Sequence, residues 1–120
     1  MLKQTIKFLD YNNVEREQDF YFNLTKSEVT EMEMSTKGGL VEKINRIVAA
    51  KDGGEIINLF KEIVFKAYGE KSPDGVRFIK GKESSLAFSQ TPAYDILFMR
   101  LVTNPEAASE FINGIVPQDN

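Results

Sequence analysis

The chain has 120 residues, of which 42% are hydrophobic and 28% are charged, and its formal net charge is −3. These values are typical of one globular domain, so we expect a single domain over residues 1–120. The sequence contains no cysteine and no histidine, which excludes disulfides, thiolate nucleophiles, Ser-His-Asp triads and the common zinc sites.

Acidic and basic residues are interspersed along the chain, so no basic patch is available to attract nucleic acid or anionic lipid. The longest apolar run is far shorter than the ~20 residues that a membrane-spanning helix needs. The first residues also lack the apolar block of a signal peptide. We therefore expect a cytoplasmic protein that binds no nucleic acid, membrane, metal or cofactor.

The N-terminal segment, residues 1–24, has the pattern of a β-hairpin. Its apolar residues fall on even-numbered positions, as expected of two half-buried strands: Leu2, Ile6, Phe8, Phe20 and Phe22. An Asn-Asn pair between the two strands favours a turn. A turn centred on the first asparagine places Lys7 opposite Glu17 and Thr5 opposite Asp19, which gives the outer face complementary charges.

From Thr25 onward the apolar period becomes that of helices. The run Thr25-Lys26-Ser27-Glu28 is a capping box, in which the side chain of Thr25 accepts a hydrogen bond from the backbone N–H of Glu28 and the side chain of Glu28 accepts one from the backbone N–H of Thr25. It predicts a helix over residues 25–35. Five further helices are predicted by apolar stripes and stop signals, over residues 40–50, 55–68, 83–89 and 92–103 and from Pro105 to a stop at Pro117. Thr91-Pro92 and Asn104-Pro105 each place an N-cap residue before a proline at the first helical position.

The region between the third and fourth predicted helices carries loop signals. Gly69 stands where a helix commonly ends on a glycine. Ser72-Pro73-Asp74-Gly75 is a turn signature, and an extended stretch follows over residues 76–79. The sequence thus predicts a helix end, a turn and one extended stretch in this region.

Together these elements predict an α+β fold, mostly α, with an N-terminal β-hairpin (residues 1–24) packed on a bundle of about five helices (residues 25–117). Two strands alone are marginally stable in water. Their outer edges also carry unpaired N–H and C=O groups. We therefore expect that helices cover these edges or that the hairpin of another subunit pairs with them.

Four residues are candidates for binding a partner protein: Ile96, Met99, Met32 and Met34. Ile96 and Met99 point away from the main apolar stripe of the helix over residues 92–103, so this helix lies either in the core or against a partner. Met32 and Met34 offer adaptable side chains on the first helix, although methionine more often fills gaps in a core. No catalytic, metal-binding or cofactor-binding residue is identified.

Several phrases of the sequence, in this order and spacing, resemble the tail assembly chaperones of long-tailed bacteriophages and prophages. They are FYFNLTK (20–26), YGEKS (68–72), DG (74–75), RFIK (77–80), FSQT (88–91), AY (93–94) and FINGIVP (111–117). The resemblance extends over nearly the whole chain.

This resemblance implies a small, mostly helical, non-enzymatic protein that acts in the cytoplasm of the infected host. Such a protein binds the tape-measure protein, keeps that long hydrophobic chain soluble, helps to recruit tail-tube subunits, and is absent from the mature virion. Two alternatives come from the residues themselves. One is a small non-catalytic adaptor or regulatory protein that binds another phage or host protein. The other is an enzyme that relies on carboxylates, but no constellation of tuned carboxylates supports it.

Overall fold

The computed structural model describes residues 1–50 and 53–117. Ten elements follow one another in this part of the chain. They are the strands β1 (Leu2–Leu9) and β2 (Glu15–Phe22), the helices α1 (Lys26–Ser35), α2 (Leu40–Ala50) and α3 (Gly53–Ala67), the strands β3 (Tyr68–Lys71) and β4 (Phe78–Ile79), and the helices α4 (Lys82–Ser89), α5 (Pro92–Thr103) and α6 (Pro105–Ile115). An α+β fold, mostly α, with an N-terminal hairpin is therefore confirmed.

The hairpin has the register that its turn predicts. Lys7 lies opposite Glu17 and Thr5 lies opposite Asp19. The Thr5 hydroxyl donates to Asp19 Oδ1 at 2.6 Å, and Lys7 Nζ lies 3.7 Å from Glu17 Oε2. In the turn, Asn13 adopts a φ of +60°, a conformation that asparagine tolerates better than most residues. The position of the turn therefore sets which residues of the two strands pair. This register keeps the apolar side chains of both strands on one face of the hairpin.

The predicted end of the third helix is wrong. The helix ends at Ala67, and Tyr68–Lys71 forms β3, which extends the hairpin into a four-stranded antiparallel sheet in the order β1-β2-β3-β4. Gly69 pairs with Tyr21 of β2 rather than capping a helix. A Cβ atom at Gly69 would lie 2.6 Å from the Phe78 ring, so glycine is needed here because β4 approaches closely.

The two halves of β3 pair with different strands. The first half of β3 pairs with β2, through Tyr68 opposite Phe22 and Gly69 opposite Tyr21. Its second half pairs with β4, through Glu70 opposite Ile79. Among the described residues, Glu15 to Phe20 of β2 have no strand on their outer side. The structure therefore covers only part of the edge that the sequence predicts to be open.

The core lies between the sheet and the helices, and α5 is its central helix. This helix packs against α3, α4, α6 and β1, and Ala93, Leu97 and Leu101 on it are buried. The inner face of the hairpin supplies Phe22, whose ring makes edge contacts with Phe111 at 5.2 Å and with other core rings. The sequence predicted that α5 lies either in the core or against a partner. In the structure this helix lies in the core.

The helix boundaries follow the predicted caps. Thr25 and Glu28 form the capping box at the start of α1. The side chain of Thr91 accepts from the Tyr94 N–H at the start of α5. The side chain of Asn104 accepts from the N–H groups of the first turn of α6. Each of these side chains accepts a hydrogen bond from backbone N–H groups that have no partner within the first helical turn. The sequence therefore predicts correctly where these helices begin.

The last helix closes onto the first strand. The backbone N–H of Leu24 donates to the Ile115 carbonyl at 2.9 Å. Leu2 packs over Gly114, where an added Cβ atom would lie 2.9 Å from Leu2 Cδ1. The two ends of the described chain are thereby joined in one packed unit.

Candidate functional site: a groove between three helices

The two predicted binding residues on α5 lie in different environments. Ile96 is half-buried and packs against the core, and it also lines an open cleft with Phe8 and Pro92 between α5 and the hairpin. Met99 is 49% exposed. The structure therefore leaves Met99 on the surface and gives Ile96 a role in packing. A role for either residue in partner binding stays a prediction.

The two methionines of α1 separate in the same way. Met32 is only 6% exposed and belongs to the core, whereas Met34 is 83% exposed. Residues two apart on a helix point to different sides, so Met32 and Met34 cannot both lie in the core. Met32 nevertheless lines the floor of an open groove, and it is the predicted candidate that this groove contains.

The groove lies between α1, the C-terminal end of α3 and the start of α4, and its volume is about 850 Å³. Apolar side chains form its floor: Leu24, Met32, Phe65 and Leu86. Leu24 and Met32 are buried, Phe65 is half-buried and Leu86 is 55% exposed. An open concave surface with an apolar floor is the form that protein-binding grooves take when they receive a helix.

An ion pair between Lys80 and Glu28 lines the groove. Lys80 Nζ donates to Glu28 Oε2 at 2.7 Å and to the Asn23 carbonyl at 2.6 Å. Burial alone would raise the pKa of Glu28, but the hydrogen bonds from Lys80 and from the Thr25 N–H outweigh it and lower the pKa. Glu28 is thus a charged carboxylate that holds the start of α1 against the segment after β4.

A buried hydroxyl group on α4 links this helix to α3. Ser85 is 7% exposed, and its Oγ donates to the Phe65 carbonyl at 2.9 Å. This bond satisfies a polar group that would otherwise be costly to bury. It also ties α4 to α3 next to Leu86, so that the exposed leucine projects from a fixed helix.

The charged residues that line the groove differ in sign from one helix to another. Glu31 lies on the α1 side, and Lys66 and Lys82 lie on the α3 and α4 side. Lys66 Nζ lies 3.7 Å from Glu62 Oε1, in a pair whose side chains are about half exposed. Such exposed pairs are weak. The groove therefore offers an apolar floor with an acidic residue on its α1 wall and basic residues on its α3 and α4 walls.

The hairpin turn forms a second exposed region. Leu9, Tyr11 and Val14 are all more than half exposed. The Asp10 carboxylate accepts from the Asn12 and Val14 N–H groups and holds the turn in one shape. The hydrogen bond from Arg16 and these backbone bonds lower the pKa of Asp10. The turn is thus an ordered projection with apolar side chains.

The described residues show no sign of a metal site or of a membrane span. No group of three or more acidic side chains is placed to hold a metal ion in this part of the chain. None of the described helices combines the length and the apolar character that crossing a membrane requires.

Reasoning from the sequence missed most of the groove. Phe65 and Leu86 are each two residues from a buried apolar neighbour, Ile63 and Phe88 respectively, so neither could share its neighbour's face. That spacing was the signal that could have found them. The pairing of Lys80 with Glu28 depends on the tertiary fold and leaves no local pattern.

The chain is similar to a known protein family over its whole given length. Residues 1–120 match the sequence model of a family described as phage tail assembly chaperone. No curated protein and no solved structure matches the chain.

Proposed function

This chain belongs to the phage tail assembly chaperones, and from that membership we propose that it binds the tape-measure protein of its phage or prophage. It keeps this long hydrophobic protein soluble and helps to recruit tail-tube subunits around it. It acts in the host cytoplasm without catalysing a reaction, and it leaves before the virion is finished. The observation that carries the proposal is the family match over the full length of the chain.

Features of the described surface support a role in binding a protein that exposes apolar segments. The groove has an apolar floor that includes the exposed Leu86. Met34 and Met99 add exposed, adaptable side chains on two other faces. Exposed apolar surface on a small protein commonly marks a binding site. A chaperone needs such surface because its client offers apolar segments that would otherwise aggregate.

Co-expression tests this proposal directly. The tape-measure protein of the same phage is produced in bacteria alone and together with this chain, and its soluble fraction is measured. We expect the soluble fraction to rise severalfold and the two proteins to copurify. A tape-measure protein that stays insoluble and does not copurify with the chain would contradict the proposal. Capture of a different phage or host protein would instead favour an adaptor role.

We also propose that the chain associates with itself through the hairpin edge. The outer face of β1 carries Lys3 and Lys7, and the outer face of β2 carries Glu15, Glu17 and Asp19. Pairing β1 with β1, or β2 with β2, would place like charges opposite each other, which is destabilising. Pairing β1 of one copy with the open edge of β2 in the next copy brings opposite charges together.

A further inference from the structure

We propose that the groove receives a single amphipathic helix of the partner. The apolar stripe of that helix lies on Leu86 and Phe65, its acidic flank faces Lys66 and Lys82, and its basic flank faces Glu31. The inference rests on the proposed function for the identity of the partner, since it places a helical segment of the tape-measure protein in this groove. The chemistry of the occupant follows from the groove itself.

A helix suits this groove better than an extended segment. The walls are the helices α1, α3 and α4, and no strand edge lies among the lining residues. An extended peptide gains affinity from backbone hydrogen bonds to a strand edge. It would find no such edge here and would have unpaired N–H and C=O groups over an apolar floor. A helix satisfies its own backbone groups, so its apolar face can be buried at little cost.

The length of the groove sets the length of the contact. On α1 the lining residues extend from Glu28 to Ser35, which is about 10 Å at the helical rise of about 1.5 Å per residue. About two turns of a bound helix fit over this distance. The occupant therefore presents apolar residues at positions i, i+3 or i+4, and i+7, which together form one stripe.

The charges on the two sides set the direction in which the helix lies. Glu28 is already neutralised by Lys80, which leaves Glu31 as the free acidic group among the described residues of the α1 side. Lys66 on α3 and Lys82 on α4 line the other walls. A helix with acidic residues on one flank and basic residues on the other matches both sides in one direction and opposes both when reversed.

Two designed peptides test this chemistry without the natural partner. Each has about 14 residues, or roughly four turns, the same amino-acid composition and the same leucine stripe. In the first peptide all glutamates lie on one flank and all lysines on the other, and in the second they alternate on both flanks. We expect the first peptide to bind this chain about threefold to tenfold more tightly at low salt, measured by fluorescence anisotropy. Equal affinities, or no binding of either peptide, would overturn the proposal.

Substitutions in the chain locate the site. Leu86→Asp should weaken binding of the first peptide by at least about tenfold, because a carboxylate would be desolvated under its apolar stripe. Lys82→Glu should remove most of the difference between the two peptides. Val76→Asp is the matched control, since Val76 is an exposed apolar residue outside the groove, and it should change neither affinity. Binding that survives Leu86→Asp and Lys82→Glu would place the peptide elsewhere and contradict the proposal.

The same variants separate this inference from the proposed function. If Leu86→Asp abolishes copurification with the tape-measure protein and Val76→Asp does not, both ideas are supported. If the tape-measure protein copurifies equally with both variants, it binds another surface, so the groove assignment fails and the chaperone role stands. If the first peptide binds the groove but the tape-measure protein never copurifies, the proposed function fails and the groove chemistry stands.

Discussion

Lys80 and Glu28 lie 52 positions apart in the chain, yet the ammonium group of Lys80 donates to both carboxylate oxygens of Glu28, at 2.9 and 2.7 Å. The same ammonium group also reaches the Asn23 carbonyl. This cluster joins the end of the hairpin, the first turn of α1 and the segment after β4. Both Lys80 and Glu28 also line the groove.

Replacing Lys80 should destabilise the fold. Lys80→Ala leaves Glu28 and the Asn23 carbonyl without their donor in a partly buried place, and we expect the free energy of unfolding to fall by about 1–3 kcal/mol. Urea denaturation measures this value. Lys7→Ala is the matched control, because the Lys7–Glu17 pair is exposed and should contribute less than about 0.5 kcal/mol. Equal effects of the two substitutions would show that the cluster around Lys80 is not special.

Glu28 should make stability depend on pH in the acidic range. The pKa of Glu28 is lowered in the folded protein from its ordinary value of 4.5, so the folded state binds a proton less readily than the unfolded state. The contribution of Glu28 is therefore complete above pH 4.5 and is lost as the pH falls through the lower folded pKa. We expect Glu28→Gln to lower Tm at pH 7 and to make little difference at about pH 2. A constant difference in Tm between the two proteins across this range would contradict the assignment.

Ile96 and Met99 should respond differently to the same substitution. Ile96→Asp places a carboxylate against the core and should cost about 1–3 kcal/mol. Met99→Asp changes an exposed position and should cost less than about 0.5 kcal/mol. Thermal melts measure both values. If α5 also contacts the tape-measure protein, Met99→Asp should weaken copurification while the melt stays unchanged. Met34→Asp tests the exposed methionine of α1 by the same two measurements.

Hairpin pairing between copies should depend on concentration and charge. We expect the average mass from light scattering to rise with protein concentration, and the double variant Lys3→Glu, Lys7→Glu to remain monomeric because β1 would then oppose the acidic β2. Salt should weaken the association of the unmodified chain. A strict monomer at all concentrations, with β1 amide hydrogens that exchange freely, would exclude the pairing.

The comparison of sequence and structure shows where local patterns are sufficient. The position of the Asn-Asn turn predicted that Lys7 lies opposite Glu17, and the capping box predicted where α1 begins, because both depend on residues close in the chain. The strand β3 could not be predicted in this way. A glycine that follows a helix favours a helix end, and only contact with the distant Tyr21 makes Gly69 part of a sheet.

The groove was hidden for a related reason. Leu86 and Phe65 lie outside the apolar stripes of their helices, and their proximity depends on how α3 and α4 pack together. The sequence predicted methionines as contact residues, and the structure places one of them, Met32, in the floor of the groove. Propensity and period identify the elements, whereas the shape of the surface between them depends on tertiary contacts.

The contact of Leu2 with Gly114 has a consequence for synthesis on the ribosome. The hairpin is made well before the α6 surface that it packs against. At a synthesis rate of about 5–20 residues per second, roughly 5–20 s pass between synthesis of the hairpin and synthesis of that surface. During this interval its strand edges are open to other nascent chains. We therefore expect a chain truncated before Phe111 to aggregate during translation, which centrifugation of translation reactions would reveal as pelleted hairpin-containing product.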